Sequence, residues 1–198
     1  SNAMKTLHSH IQGSFESKGS KFLAFLLPYS EFESTLALLK QEHLKAVHFV
    51  SATRHFNEFN QILESFDDDG EPKGSSGMPS LKVLRGEELI NVGVIIVRYF
   101  GGTLLGVGGL VRAYTNAVKD AIEVAKSQGL LENFILCESV CFEIAYPLLS
   151  QCEYMAKKLG VELRKESFLE NGIRVRVQGE RDRIESVRAT FDRCKFDK

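Results

Sequence analysis

Residues 90–97 form a nearly uninterrupted apolar run that few structures can accommodate. The run is rich in β-branched side chains, which favours a strand covered on both faces. Glycine then occupies five of the nine positions from Gly101 to Gly109. From Leu110 to Lys126, small and apolar residues recur at helical spacing opposite a polar face. A buried strand that turns directly into an amphipathic helix predicts a helix packed on a sheet.

Weaker patterns predict further elements before this strand. The apolar runs Phe22–Leu27 and Val47–Ala52 are short and suit strands. Between them Phe32 and residues at helical spacing from it predict a helix. Ser30 and Glu33 have the spacing of a capping box, which is expected to start that helix.

A second set of elements follows Gly129, the glycine expected to end the long helix. Its order is β-α-β-β-α, most of a ferredoxin-like unit, and residues 195–198 leave little room for the final strand. We therefore expect an α+β protein of two domains, residues 4–131 and 132–198. Residues 1–3 are typical of an expression remnant before Met4. The predicted elements are strands at Val140–Ile144, Val161–Leu163 and Ile173–Val177, and helices at 147–159, ended by Gly160, and 184–191.

Charge and composition narrow the classes of function. The chain has 25 basic and 26 acidic residues, so binding of nucleic acid through bulk positive charge is not expected, and any such contact must be local. No apolar stretch reaches 18 residues and no secretory signal is visible, which predicts a cytoplasmic protein without membrane contact. The cysteines form no C-x-x-C pair and are expected to be reduced and mostly buried, and no metal site or cofactor is predicted. They are Cys137, Cys141, Cys152 and Cys194.

Two segments, Asp67–Pro79 and Arg98–Tyr114, contain the residues on which a function could depend. The acidic run at the start of the first could bind magnesium, but glycine, proline and serine crowd it and favour a solvated turn. The glycine-rich segment lacks the Lys-Ser/Thr pair of a Walker loop and the third glycine of a Rossmann loop. Ser75 and Ser76 have no adjacent histidine to activate them. We predict no catalytic residue.

Together these segments resemble the signature of the YigZ/IMPACT family, D-D-G-E-P-x-G-T-A-G-x-P, V-R-Y-F-G-G and L-G-x-G-G-L-V-R-A-Y. The matching stretches are Asp68–Pro79, Val97–Gly102 and Leu105–Tyr114, with Ser75–Ser76 in place of the usual Thr-Ala. The resemblance implies a first domain like the second domain of ribosomal protein S-five. It also implies a ferredoxin-like second domain similar to one in elongation factor G. Eukaryotic relatives bind a ribosome-associated co-activator and so restrain a stress kinase that acts on translation initiation.

We therefore expect a non-enzymatic regulatory protein of translation that binds RNA, the ribosome or a translation-associated protein, with no preference for DNA. The alternative is a small-molecule or nucleotide-phosphate-binding enzyme that uses the glycine-rich turn for phosphate and the acidic loop for metal. The candidate binding residues are Asp69, Gly70, Glu71, Arg98, Tyr99, Gly101, Gly102, Gly106, Gly108, Gly109, Arg112 and Tyr114.

The arginines allow two interpretations. Arg98 and Arg112 could form one anion-recognising surface at the end of the strand and the start of the helix. Alternatively they pair with the acidic run Asp67–Glu71 while Phe100 and Tyr114 pack in the core. His48, in a predicted strand, is more typical of a packed or hydrogen-bonded histidine than of a catalytic base. The arginines of the second domain, Arg164, Arg174 and Arg176, offer either a basic surface or a solvated strand face.

Overall fold

The computed structural model describes residues 4–196, with side chains as far as residue 192. The chain divides into two compact units between Phe134 and Ile135. The sequence analysis predicted this division after residue 131. The difference arises because residues 131–133 form a strand that pairs with the first strand of the chain. No helix within the described residues is long and apolar enough to span a membrane.

The first unit contains seven strands and three helices among its described residues. The helices are α1 (Phe32–Glu42), α2 (Gly77–Gly86) and α3 (Gly106–Ser127). The strands are β1 (Lys5–Leu7), β2 (Ile11–Ser17), β3 (Ser20–Pro28), β4 (His48–Phe56), β5 (Ile62–Asp67), β6 (Val92–Tyr99) and β7 (Leu131–Asn133).

Strand β6 is the centre of a five-stranded antiparallel sheet of order β2-β3-β6-β4-β5. Val94 and Ile96 on one face belong to the core that includes residues of α2 and α3. Ile95 and Val97 on the other face pack with residues of α1. The prediction of a central strand covered on both faces is confirmed. The end of the long helix at Gly129, with φ of 66°, is also confirmed.

The start of α1 differs from the prediction. A short 3-10 turn occupies Tyr29–Glu31, so the N-cap is Glu31, and no side chain caps the helix. The capping box at Ser30 and Glu33 is therefore wrong. Sequence reasoning also did not identify β1, β2, β5, α2 or β7 as elements.

The second unit has the predicted order β-α-β-β-α. The elements are β8 (Cys137–Ala145), α4 (Leu149–Leu159), β9 (Glu162–Phe168), β10 (Gly172–Glu180) and α5 (Arg181–Phe196). The antiparallel sheet of this unit has the order β8-β10-β9, and α4 ends at Gly160, where φ is 72°, as predicted. Because α5 continues to Phe196, the final strand of a ferredoxin-like unit is not found among the described residues.

The three arginines that the sequence analysis named in this unit are paired with acidic residues. Arg174 contacts Glu143 at 3.1 Å, Arg176 contacts Glu166, and Arg164 contacts a neighbouring glutamate at 3.3 Å. The solvated strand face is thus the interpretation that fits. The prediction that the cysteines are mostly buried is wrong for the described side chains, since Cys152 is buried while Cys137 and Cys141 are exposed. The side chain of Cys194 lies outside the described residues.

Candidate functional site

The end of strand β6 brings together segments that are far apart in the sequence. The backbone of Gly101 lies so close to the turn between β2 and β3 that a Cβ there would be 2.1 Å from the carbonyl carbon of Gly19. On the neighbouring strand, Nδ1 of His48 contacts the carbonyl oxygen of Asp69 at 2.7 Å. The acidic segment and the glycine-rich segment therefore meet at one end of the sheet.

A buried carboxylate, that of Glu71, is at the centre of this end. Nη1 of Arg98 donates to both of its oxygens at 2.8 Å, and the hydroxyl of Tyr114 donates to Oε2 at 2.7 Å. Nε2 of His48 lies 3.2 Å from Oε1. We call these four residues the Glu71 network. The side chains of Arg98 and Glu71 are 6% and 3% exposed, so solvent hardly reaches the ion pair.

Burial makes these groups dependent on one another, because a buried charge without a partner is costly. Burial, and then the hydrogen bond to Glu71, raises the pKa of Tyr114 far above its usual value, so the hydroxyl keeps its proton and donates. The guanidinium of Arg98 also lies 5.4 Å from the ring centre of Phe22 and 5.7 Å from that of Phe100. Its Nε has no hydrogen-bond partner within the described residues.

Asp68 organises the segment between β5 and α2. Its carboxylate accepts the amides of Gly74 at 3.0 Å and Gly77 at 2.7 Å, and the hydroxyl of Ser76 at 2.9 Å. Burial alone would raise the pKa of Asp68, but the amide and hydroxyl donors outweigh it and hold the pKa below its usual value. These local hydrogen bonds confirm the interpretation of the acidic run as a turn. In the described part of the chain, no three His, Cys, Asp or Glu side chains are grouped as a metal ion would require.

The glycine-rich segment forms the exposed part of this end. Phe100, Leu104 and Val107 are 49%, 83% and 56% exposed. Arg112, in the second turn of α3, is exposed and has no hydrogen bond or ion pair with any described residue. We call these four residues, with the glycines between them, the loop surface. It combines apolar side chains, backbone amides and one unpaired cation.

The predicted binding residues separate into three groups, which are buried, half-buried or exposed. Tyr99 is half-buried and points to the opposite face of the sheet, where its hydroxyl lies 2.6 Å from Nδ1 of His43. Asp69 is half-buried, and its Oδ2 accepts the amide of Phe49 at 2.6 Å. Glu71, Arg98 and Tyr114 are buried, Gly109 is half-buried, and Gly70, Gly101, Gly102, Gly106, Gly108 and Arg112 are exposed.

The two arginines of the signature do not share a surface. Arg98 points inward to Glu71, as the pairing interpretation predicted, but that interpretation is wrong for Arg112, which points outward and has no partner among the described residues. It is also wrong for Phe100, which is 49% exposed rather than packed in the core. Their expected common anion site is therefore wrong, because Arg98 offers almost no exposed surface. In the glycine run, positive φ occurs at Gly102 and Gly106, at 87° and 74°, and not at Gly108.

Some contributors were not among the predicted site residues. Asp68 lies within the signature, and its position next to the predicted site residue Asp69 could have identified it as a contributor. Ser20 accepts the amide of Gly101 through Oγ at 3.0 Å and lies 3.4 Å from Nη2 of Arg98. Nothing local in the sequence marks this serine. His48 has the hydrogen-bonded role that the strand pattern predicted.

Known proteins match this chain over the region that builds the site. A family model described as the Impact N-terminal domain matches residues 18–122, which contain the Glu71 network and the loop surface. The chain belongs to the IMPACT family. An IMPACT family member from Haemophilus influenzae is 35% identical over 161 residues, which are 79% of this chain and 75% of the relative. The IMPACT family member YigZ from Escherichia coli is 34% identical over 144 residues, which are 70% of this chain and 71% of the relative.

A solved structure extends the likeness to the fold. The crystal structure of a hypothetical protein covers 95% of this chain with 90% of its own length, at 23% identity and a TM-score of 0.62. It supports the α+β fold and carries no information on activity.

The IMPACT signature now has a structural meaning. Its three stretches converge on the end of β6, where the ionisable side chains Glu71 and Arg98 point inward and pair. The glycine-rich stretch passes over them and remains exposed. The signature therefore combines a buried ion pair with an exposed loop.

Proposed function

We propose that the protein is a non-enzymatic regulator of translation that uses the loop surface to bind RNA, the ribosome or a translation-associated protein. One observation carries the proposal. Glu71 and Arg98 of the signature pair with each other inside the fold, while the glycine-rich loop beside them exposes apolar side chains and Arg112, which has no partner among the described residues.

This division of roles favours binding over catalysis. A catalytic carboxylate or arginine needs a face open to substrate, but both oxygens of Glu71 receive donors and its side chain is 3% exposed. The exposed residues supply what recognition needs, since apolar contacts contribute affinity and amides with a cation contribute polar contacts. The Glu71 network then serves to hold the loop in one shape.

The role in translation rests on membership of the IMPACT family and on the partners that the resemblance implies for its eukaryotic relatives. The balanced charge of the chain, with a net value of −1, is consistent with a local contact rather than a broad basic footprint. A site of action in the cytoplasm follows from the same proposal.

Crosslinking in native lysate, followed by identification of both RNA and protein, tests the proposal. We expect ribosomal or translation-associated molecules to be captured by the natural sequence and lost with a Leu104→Ser, Arg112→Ala double variant. Leu38→Ser is the matched control, because Leu38 is also exposed, at 51%, but lies on α1. Equal capture by all three proteins would contradict a role for the loop surface.

A thermal-shift titration with magnesium nucleotides tests the enzyme alternative. A ligand at 100 times its Kd stabilises the folded state by about 2.7 kcal/mol. A shift of that size, lost in a Gly108→Val variant that melts normally without ligand, would favour the phosphate-binding enzyme and overturn the proposal.

A further inference from the structure

The two edges of the five-stranded sheet are protected to different degrees. Helix α3 covers the edge strand β2 so closely that a Cβ on Gly13 would be 2.3 Å from the amide nitrogen of Ala121. The amide of Ser14 on the same strand donates to the carboxylate of Asp120 at 2.8 Å. A backbone donor of this edge thus already has a partner, and the helix blocks an incoming strand.

Strand β5, at the other edge, lacks the protection that β2 has. All six of its residues are exposed, including Ile62 at 41%, Leu63 at 45% and Phe66 at 44%. It pairs with β4 in unbroken register, so no bulge bends the edge away, and it contains neither lysine nor proline. Edge strands usually carry at least one of these protections or a covering element. Within the described residues, no backbone group of β5 is bonded to anything beyond β4.

The charge in the middle of β5 does not protect the edge either. Glu64 accepts hydrogen bonds from Nε of Arg85 and Nε of Arg54, each at 3.0 Å, and from Nη2 of Arg85 at 2.9 Å. The hydrogen bond from Arg85 lowers the pKa of Glu64 despite some desolvation. Two cations from β4 and α2 therefore neutralise this carboxylate, and it cannot repel an approaching strand.

The turn before β5 extends its apolar surface. Phe59 is 74% exposed and is held in place because Oδ1 of Asn57 accepts the amides of Phe59 and Gln61, each at 2.9 Å. Free negative charge remains at the two ends. Glu58 in the turn and Asp67 at the end of the strand are exposed and have no cationic partner among the described residues.

We propose that the β5 edge is a docking site for an extended segment of a partner protein, which adds to the sheet as a sixth strand. Unbonded backbone groups along about 20 Å of strand require an extended chain as the occupant. Ile62 and Phe66 lie on one face of the strand and Leu63 on the other, so the segment carries apolar side chains on both of its faces. The carboxylates of Glu58 and Asp67 select lysine or arginine at the ends of the segment. This surface is separate from the loop surface and does not rest on the proposed function.

A synthetic peptide, Lys-Val-Val-Thr-Val-Val-Lys, which carries valine on both faces when extended, is the probe, and Glu-Val-Val-Thr-Val-Val-Glu is its matched control. In a ¹⁵N NMR titration of the full chain, we expect the lysine peptide to shift amides of residues 57–67 and to slow exchange of the β5 amides. The glutamate peptide is expected to bind about tenfold more weakly, a difference of about 1.4 kcal/mol. Methylation of the peptide nitrogens along one edge is expected to abolish binding, because the ladder then loses its donors.

Variants of the protein test whether the peptide binds at the β5 edge. Leu63→Lys and Phe66→Lys are each expected to weaken binding of the lysine peptide by about tenfold or more, since both place a like charge on the edge. Leu104→Lys is the matched control, because it adds the same charge at the loop surface and leaves binding unchanged. Glu58→Lys is expected to abolish the preference between the two peptides, because the charges at the two ends of the strand then cancel. Phe66 contacts α2 near Gly77, so if Phe66→Lys fails to fold, Leu63→Lys decides the question.

Three results would overturn the proposal. They are absence of binding by the lysine peptide, an equal loss of binding in Leu104→Lys, and dimerisation of the free chain through β5. The last would show that a second copy, rather than a partner, occupies the edge. Failure of the crosslinking experiment with the loop variants would leave the β5 result unaffected.

Discussion

Arg98 and Arg112 lie in opposite environments, although they flank the same glycine-rich loop. Arg98 lies in a medium of low polarity, where Glu71 is its only ion-pair partner within the described part of the chain. Arg112 lies in water, which screens and solvates its charge without help from the protein. Removal of one partner of a buried pair leaves the other charge uncompensated, whereas removal of an exposed cation changes little.

Alanine substitutions at these two positions therefore have very different expected costs. We expect Arg98→Ala to lower the free energy of unfolding by about 3–5 kcal/mol. Arg112→Ala, the control, is expected to change it by less than about 0.5 kcal/mol. Urea unfolding followed by circular dichroism measures both. An Arg98→Ala protein as stable as the natural sequence would show that the remaining contacts with His48 and Tyr114 are sufficient to stabilise the Glu71 carboxylate.

Asp68 gives the acidic turn a defined pH dependence. Because its pKa is lowered in the folded state, the folded chain binds a proton less readily than the unfolded chain. Its contribution to stability is therefore complete above the ordinary carboxyl value of about 4 and is lost as the pH falls through the lowered pKa. We expect Asp68→Asn to be less stable at neutral pH and to lose less stability than the natural sequence between about pH 5 and about pH 2. Urea unfolding across that range measures this, and parallel pH profiles would contradict the assignment.

At the scale of elements, close backbone contacts decide where the loops and the helix meet the sheet. A Cβ on Gly101 would lie 2.1 Å from the carbonyl carbon of Gly19 and 2.4 Å from the amide nitrogen of Ser20. A Cβ on Gly108, inside α3, would meet only the flexible end of Arg112, at 3.5 Å. Glycine is thus required sterically at the first position and not at the second.

Alanine substitution of Gly101 and Gly108 tests whether glycine is sterically required at one position and not at the other. We expect Gly101→Ala to cost about 1–3 kcal/mol, because backbone must move to admit the methyl group. Gly108→Ala, the control, is expected to stabilise the protein by about 0.5–1 kcal/mol through its helical preference. Thermal and urea unfolding of both variants measure the difference. Equal stability of the two variants would show that the loop yields without cost at Gly101.

At the scale of the whole molecule, the first unit is closed by its own ends. Strand β1 pairs with β7 in antiparallel register, and the amide of Phe134 donates to the carbonyl oxygen of Met4 at 3.0 Å. The ring of Phe134 stacks on Phe56 with centroids 5.4 Å apart. The segment after Gly129 therefore belongs to the first unit.

Truncation tests this closure. A chain of residues 4–134 is expected to fold alone, whereas a chain of residues 4–130 loses β7 and the Phe134 contact and is expected to unfold at lower urea concentration. Limited proteolysis of the full chain is expected to yield a stable fragment ending near Phe134. Equal stability of the two truncated chains would show that β7 contributes nothing to the first unit.

Local patterns were sufficient for the elements whose character depends on near neighbours. Strand β6, predicted at Ile90–Val97 and observed at Val92–Tyr99, and the helix ends at Gly129 and Gly160 follow from side-chain period and glycine stereochemistry over a few residues. Strand β5 was not predicted because exposure of all its residues removes the alternation that marks a half-buried strand. Helix α2 was not predicted because it begins within a segment rich in glycine, proline and serine that is typical of a turn.

Sequence reasoning named Glu71, Arg98 and Tyr114 as site residues, but the direction in which they point depends on partners that are distant in the chain. Arg98 lies 27 positions from Glu71, and Tyr114 lies 43 positions from it. No local period reports such a contact. Residue types and short spacings determined the elements and the position of the signature. Only the packing of the sheet, helices and loops decided that Glu71 and Arg98 face inward while Arg112 and most of the glycine-rich loop face outward, because burial is a property of the assembled fold.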